Sequence, residues 1–259
     1  MRGFLKDTVN RALGALGLEV RRVADSSPKP WDQAFKRWIA EAAAAGKDPN
    51  DVGDAEWAGD PSHILEKTVS SFVDADSVVL ELGPGTGRAT RHVLPRCRRM
   101  ILVDYSQFVC DWLDEYLAGR GDFETHPIDR PVLAGVPDDI VDFAFAYGVF
   151  EHIDLDDTYE LIREFHRVLK AGGNAWFNFD TLATSGGLSW FKQQRAKLTP
   201  GNASEFRFHH PEDIAALCRD AGFEISNLES DETRQVWVTL HKPRGAEIAC
   251  SPDALRSSP

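Results

Sequence analysis

Patterned cysteine and long apolar runs are both scarce in this chain. Its four cysteines, Cys97, Cys110, Cys218 and Cys250, are scattered and form no C-x-x-C pair. That argues against a disulfide framework and against a zinc site of usual spacing, and it fits a reducing compartment. No apolar stretch approaches the roughly 20 residues that a membrane-spanning helix needs. Near the N-terminus Asp7, Asn10 and Arg11 interrupt the apolar sequence, so a secretory signal is not expected and a cytoplasmic location is. Positive charge is short as well: 29 Lys and Arg face 41 Asp and Glu, a formal net charge of -12. A broad acidic surface repels phosphate backbones, which makes nucleic acid a poor partner.

The composition itself is ordinary for a globular protein, 42% hydrophobic and 27% charged over 259 residues. That length suits one full domain with an appendage. Residues 1–24 have the spacing of a short amphipathic helix, with Phe4, Leu5, Val9, Leu13 and Leu16 near one face. Such a helix docks on its own domain or a partner subunit, or makes a weak contact with a membrane surface. Residues 25–30, with two serines and two prolines among them, read as a linker. WDQAFKRWIAEAAAA is a strong helix closed by Gly46, and SHILEKTVSSFV is another. Residues 1–60 are therefore expected to form a helical cap.

From residue 77 the pattern changes to strands alternating with helices, which predicts a mostly parallel sheet covered on both faces. SVVLEL, RMILVDY, FETHPI, VDFAFAY and NAWFNFD read as strands. ATRHVLPRC, SQFVCDWLDEYLAG, LDDTYELIREFHRVLKAGG and PEDIAALCRDAG read as helices. In the third of these, Asp154 is expected to cap, Tyr159, Ile162, Phe165 and Leu169 to form the apolar stripe, and the glycines to end the helix. FEISNLE and RQVWVTLHK lie close enough to pair as an antiparallel hairpin. Residues 244–259 have little to bury and form a tail.

The segment VVLELGPGTGRATR, residues 78–91, carries the chemistry. Glycines in the first strand-to-helix turn let the backbone turn tightly and let a ligand touch main chain. Packing alone needs one glycine, whereas this turn has Gly83, Gly85 and Gly87. A dinucleotide fingerprint needs G-x-G-x-x-G, and its third glycine would fall at Arg88. Asp104, at the end of the second strand, can accept both hydroxyls of a ribose. It would serve either kind of nucleotide.

VVLELGPGTG followed by MILVDYS, VDFAFAYGVFEHI and FHRVLKAGG resembles the class I S-adenosylmethionine-dependent methyltransferases over residues 60–243. The resemblance implies a doubly wound, Rossmann-like α/β sheet of seven strands with a terminal antiparallel hairpin, occupying residues 61–243. It implies that Glu81, Gly83, Pro84, Gly85 and Gly87 hold the methionine end of S-adenosylmethionine. Asp104 then matches the ribose-binding acid, Tyr105 lies beside the adenine, and Asp129 is the best match for the adenine-side acid. Ala146 and Tyr147 would meet the methionine through backbone.

A methyl transfer needs a positioned nucleophile stripped of water, and a hydroxyl nucleophile needs a base. His152, after the fourth strand, is the candidate; the other reading is a local packing role. Some relatives carry E-x-x-E-H here as a metal site, but Gly148 takes the first glutamate position and no metal is expected. Glu151 and His152 with His209 or His210 are the remaining option for one. The N-P-P-Y that holds a flipped base is absent, so a small or lipid-linked polar acceptor is expected. Residues 181–210 read as a long lid loop. Trp190, Phe191 and Phe206 offer apolar walls, and Lys192, Arg195, Lys197 and Arg207 would suit an anionic group. The expected reaction is O-methylation. The alternatives are N- or C-methylation, or a non-catalytic scaffold that keeps the cofactor pocket; a nicotinamide oxidoreductase is more distant.

Overall fold

The computed structural model describes residues 29–48, 65–66, 69–198, 206–230 and 232–244. The expected amphipathic helix at 1–24 and the tail from 245 onward lie outside the described residues. The cap helix α1 spans Lys29–Ala44. It starts inside the expected linker, with Pro30 in its first turn, where a missing N–H costs nothing. β1 (Val78–Leu82) follows, then α2 (Thr90–Val93), β2 (Arg99–Asp104), α3 (Gln107–Tyr116), β3 (Phe123–Pro127) and β4 (Val141–Ala146). The second half holds α4 (Leu155–Val168), β5 (Leu169–Asp180), α5 (Ser185–Lys197), α6 (Pro211–Asp220), β6 (Glu224–Ser230) and β7 (Gln235–His241).

The seven strands run in the order β3-β2-β1-β4-β5-β7-β6. β1 to β5 are parallel, and β7 is antiparallel to both β5 and β6. The chain winds outward from β1 to β3, then returns to the other side of β1. The strand order therefore reverses between β1 and β4, and the crevice at their carboxyl ends is the natural ligand site. All five residues of β1 are buried. Such a strand reads as an unbroken apolar run because helices cover both its faces. On one face Leu80, Ile101, Ala144 and Phe177 pack with Leu161, Phe165 and Ile214 of α4 and α6. On the other Val79, Leu102, Phe145 and Trp176 pack with Val109 and Leu113 of α3. None of the described helices is long and apolar enough to cross a membrane.

Several elements depart from expectation for local reasons. α2 is four residues long and passes into a 3₁₀ turn, Leu94–Arg96, because Pro95 cannot continue an α-helix. α4 ends at Val168, not at the glycines. Leu169 is already extended and pairs with Val141, and Gly172 (φ 87°) lies in a bulge within β5. The buried stripe of α4 is accordingly Thr158, Leu161, Ile162, Phe165 and Val168, while the Tyr159 hydroxyl reaches outward to Asp220. Asp154 stands at the N-cap of α4 without a side-chain capping bond, since its carboxylate pairs with Arg207 at 2.5 Å. The lid segment is not all loop: Thr184 caps the helix α5 by accepting from the Gly187 N–H at 3.0 Å. Only part of SHILEKTVSSFV is described, including a 3₁₀ turn at Val69–Ser71.

Candidate active site

The site begins where β1 runs out. The Gly83 N–H donates to the Val103 carbonyl at 2.7 Å, so the sheet carries the chain into the turn. Gly83, Gly85 and Gly87 then adopt φ of 69°, 55° and 90°. Pro84 is buried, and its carbonyl accepts from the Gly87 N–H at 3.0 Å to close the turn. A Cβ on Gly83 would stand 2.4 Å from Val149, and one on Gly85 would stand 3.3 Å from Phe35 of the cap helix.

Glu81 and Asp104 flank this turn on one face of the sheet, at 2% and 6% exposure. Thr90 Oγ1 donates to Glu81 Oε2 at 2.7 Å. Burial outweighs that bond and pushes the Glu81 carboxyl up to about 8, with Asp104 adding to the shift. Burial also raises Asp104, to about 7, against the N–H bonds it accepts from Ser106 and Gly85. Ser106 opens α3 by accepting from the Val109 N–H at 3.1 Å, and its hydroxyl donates to Asp32 of α1. Two acidic groups thus sit at the positive end of α3. Tyr105 packs toward the opposite face, its phenol raised by burial and by Asp157 and Asp129. Asp129 is exposed, one residue past Ile128, whose N–H bonds the Asp104 carbonyl at 2.9 Å.

Ala146 ends β4, buried and in register with Leu82 and Phe177. Tyr147 stacks on Trp176 and Trp237 at 6.1 and 6.3 Å, and Arg88 lies over its ring at 5.4 Å. The chain then makes a 3₁₀ turn, Phe150–His152, which presents Glu151 inward. His152 rests between Trp31 of α1 at 5.0 Å and Phe206 at 5.1 Å. The cap helix therefore touches the glycine turn, the head of α3 and the candidate base at once. His209 does not join it: its Nε2 lies 3.2 and 3.1 Å from the Phe150 and Ile153 carbonyls. His210 Nδ1 accepts from the Glu212 N–H at the head of α6. Among the described residues no three His, Cys, Asp or Glu gather as a metal ion would need.

Sequence reasoning missed Trp31, Asp32 and Phe35, which only the tertiary packing brings to the site. It also missed Asn178 and Asp180 on β5 and Arg234. Polar residues at alternate positions of an otherwise apolar, doubly covered strand were the available signal for the first two.

Residues 80–177 match the family model described as a methyltransferase domain. The comparison with curated proteins yields no match. Among solved structures, a putative methyltransferase in complex with the Haloferax volcanii activator Trm112 is 16% identical with a TM-score of 0.58, covering 81% of this chain and 97% of that one. The N-methyltransferase NodS from Bradyrhizobium japonicum WM9, in complex with S-adenosylhomocysteine, is 15% identical with a TM-score of 0.57, covering 82% and 98%. The [4+2]-cyclase SpnF is 19% identical with a TM-score of 0.55, covering 70% and 81%. With the matched segment laid across β1 to β5 and the terminal antiparallel pair completing the sheet, the chain carries a methyltransferase domain with the fold of the class I S-adenosylmethionine-dependent methyltransferases.

Proposed function

We propose that this enzyme methylates a hydroxyl of a small or lipid-linked polar acceptor. The observation that carries the reading is the pairing of two buried polar clusters on one face of the sheet. Buried Glu81 and Asp104 flank the positive-φ glycine turn, and buried Glu151, Asn178 and Asp180 lie beyond β4, near the rings of His152, Trp31 and Phe206. The donor set fits the cofactor. Both carboxyls are held above their ordinary range by burial, and a cation or hydroxyl donors would return them to the ionised form. S-adenosylmethionine supplies an electrophilic methyl group on a positively charged sulfur.

In this reading Glu81 and the backbone of Gly83, Pro84, Gly85 and Gly87 hold the methionine end. Asp104 accepts from the ribose hydroxyls, and Tyr105 and Asp129 border the adenine. Ala146 and Tyr147 close the methionine side. His152 takes the proton of the acceptor hydroxyl, and its ring is oriented by Trp31 and Phe206. α1 of the cap and α5 of the lid help to exclude water from the site, which strengthens every electrostatic interaction inside. A cytoplasmic setting suits free cysteines at 97, 110 and 218.

The test is transfer of a labelled methyl group from S-adenosylmethionine to a panel of hydroxyl acceptors. The expected result is incorporation that falls about 10²- to 10⁴-fold in His152→Gln while S-adenosylhomocysteine still binds. Cofactor binding without transfer to any acceptor would favour the scaffold reading.

A further inference from the structure

Beyond β4, the 3₁₀ turn and β5 carry three buried polar atoms without a hydrogen-bond partner, and the Trp190 indole N–H on α5 beside them is a fourth. Glu151 Oε2, Asp180 Oδ1 and Asn178 Nδ2 are all unpaired, on residues 4%, 0% and 0% exposed. Their other ends are engaged or enclosed. Asp180 Oδ2 accepts from Arg234 Nη1 at 2.8 Å, and Asn178 Oδ1 accepts from the Gly148 N–H at 2.9 Å. A Cβ on Gly148 would lie 3.7 Å from Glu151 Oε1. Buried polar groups in folded proteins are almost always satisfied, so three orphans in one place call for a ligand.

The local chain brings the three together. Asn178 and Asp180 are two apart on β5 and therefore share a face. The segment 207–209 bridges the rest: the Arg207 N–H donates to the Glu151 carbonyl at 2.6 Å, and the His209 N–H to the Asp180 carbonyl at 2.9 Å. Glu151 and Asp180 feel each other and Arg234 electrostatically. Arg234 in turn lies over Trp190 at 4.5 Å, Trp190 meets Phe206 edge-on at 5.5 Å, and Phe206 leads back to His152.

We propose that this cluster binds a polyhydroxylated acceptor, a sugar ring or similar polyol, through Glu151, Asp180 and Asn178. The inference rests on the methyltransferase reading above and names its acceptor class. With the Trp190 indole the orphans comprise two carboxyl oxygens and two N–H donors. A hydroxyl is at once a donor and an acceptor, so neighbouring hydroxyls satisfy all four. An ammonium group would satisfy the two carboxyl oxygens and leave the Asn178 amide and the Trp190 indole unpaired. An anionic group would satisfy the amide and face two buried carboxylates. Arg234 is already engaged by Asp180, and Arg207 by Asp154. The rings of Trp190 and Phe206 provide apolar faces for the C–H side of a sugar.

The experiment uses the full chain saturated with S-adenosylhomocysteine. Saturation-transfer NMR is recorded with methyl α-glucopyranoside, methyl α-rhamnopyranoside, butylamine and benzoate. The expected result is signal from at least one glycoside and none from the amine or the carboxylate. Glu151→Gln and Asp180→Asn each weaken glycoside binding about tenfold or more, the loss of one charged hydrogen bond, with S-adenosylhomocysteine affinity unchanged. Should Asp180→Asn fail to fold, Trp190→Ala on α5 serves in its place with the same expectation. A wild type that binds S-adenosylhomocysteine but neither glycoside, or prefers the amine or the carboxylate, overturns the polyol assignment, as do variants that keep full glycoside affinity. A wild type that fails to bind S-adenosylhomocysteine overturns the underlying reading instead.

Discussion

Gly83 shows how a single residue sets the site. Its φ of 69° is unfavourable for an L side chain, and a Cβ would press into Val149 at 2.4 Å. Valine is stiff at χ1, so it cannot swing aside cheaply. Gly83→Ala is therefore expected to destabilise the fold by about 1–3 kcal/mol, read as a lower urea midpoint at an unchanged slope. An unchanged midpoint would mean that the turn tolerates a side chain. The placement of Glu81, Asp104 and the glycines around one turn was readable from a short motif because they lie in a single strand-to-helix turn and at the next strand end. Trp31 and Phe35 were not, because their contacts with His152 and Gly85 span long stretches of chain.

At the scale of elements, strand spans were readable wherever both faces of the sheet are covered, since burial on two sides leaves an unbroken apolar run, as in β1. Helix ends were not. The glycines after α4 signal a stop, yet pairing of Leu169 with Val141 draws the chain into β5 before reaching them. α5 was hidden because two glycines and a mixed surface give it no apolar stripe, while its cap at Thr184 is a side-chain bond that sequence alone does not announce. The lid role of this region has a direct test. Replacing residues 184–204 by a short Gly-Ser linker should leave S-adenosylhomocysteine affinity unchanged and lower turnover at least a hundredfold. Undiminished turnover would remove the lid from the account. The core has its own: Phe165→Ala, on the buried face of α4, should cost about 3–5 kcal/mol in chemical denaturation.

Across the whole molecule the parallel sheet gathers four buried carboxyls on the ligand side, Glu81, Asp104, Glu151 and Asp180. Burial raises each of them, to about 8, 7, 7 and 7. Between the ordinary carboxylate range and these values, the folded chain holds protons that the unfolded chain has released. Stability of the free protein therefore falls as pH rises from about 5 to 8, with a slope of up to about 1.4 kcal/mol per unit for each group. Thermal melts across that range should show a falling midpoint, and saturating S-adenosylhomocysteine should flatten it. A midpoint that rises with pH would contradict these assignments. The fold class followed from the alternation of strands and helices and from the closing hairpin. The cluster of Glu151, Asn178 and Asp180 did not, because it is assembled from β5, the turn after β4, the segment at 206–209 and Arg234.

The proposed cofactor site rests on Asp104 and the glycine turn. Calorimetric titration of the wild type and of Asp104→Ala with S-adenosylmethionine and S-adenosylhomocysteine is its plainest test. Micromolar binding by the wild type and a loss of about 10- to 100-fold in the variant are expected, the value of hydrogen bonds to a charged group. Equal affinity in the two proteins, or no binding by the wild type, would contradict it.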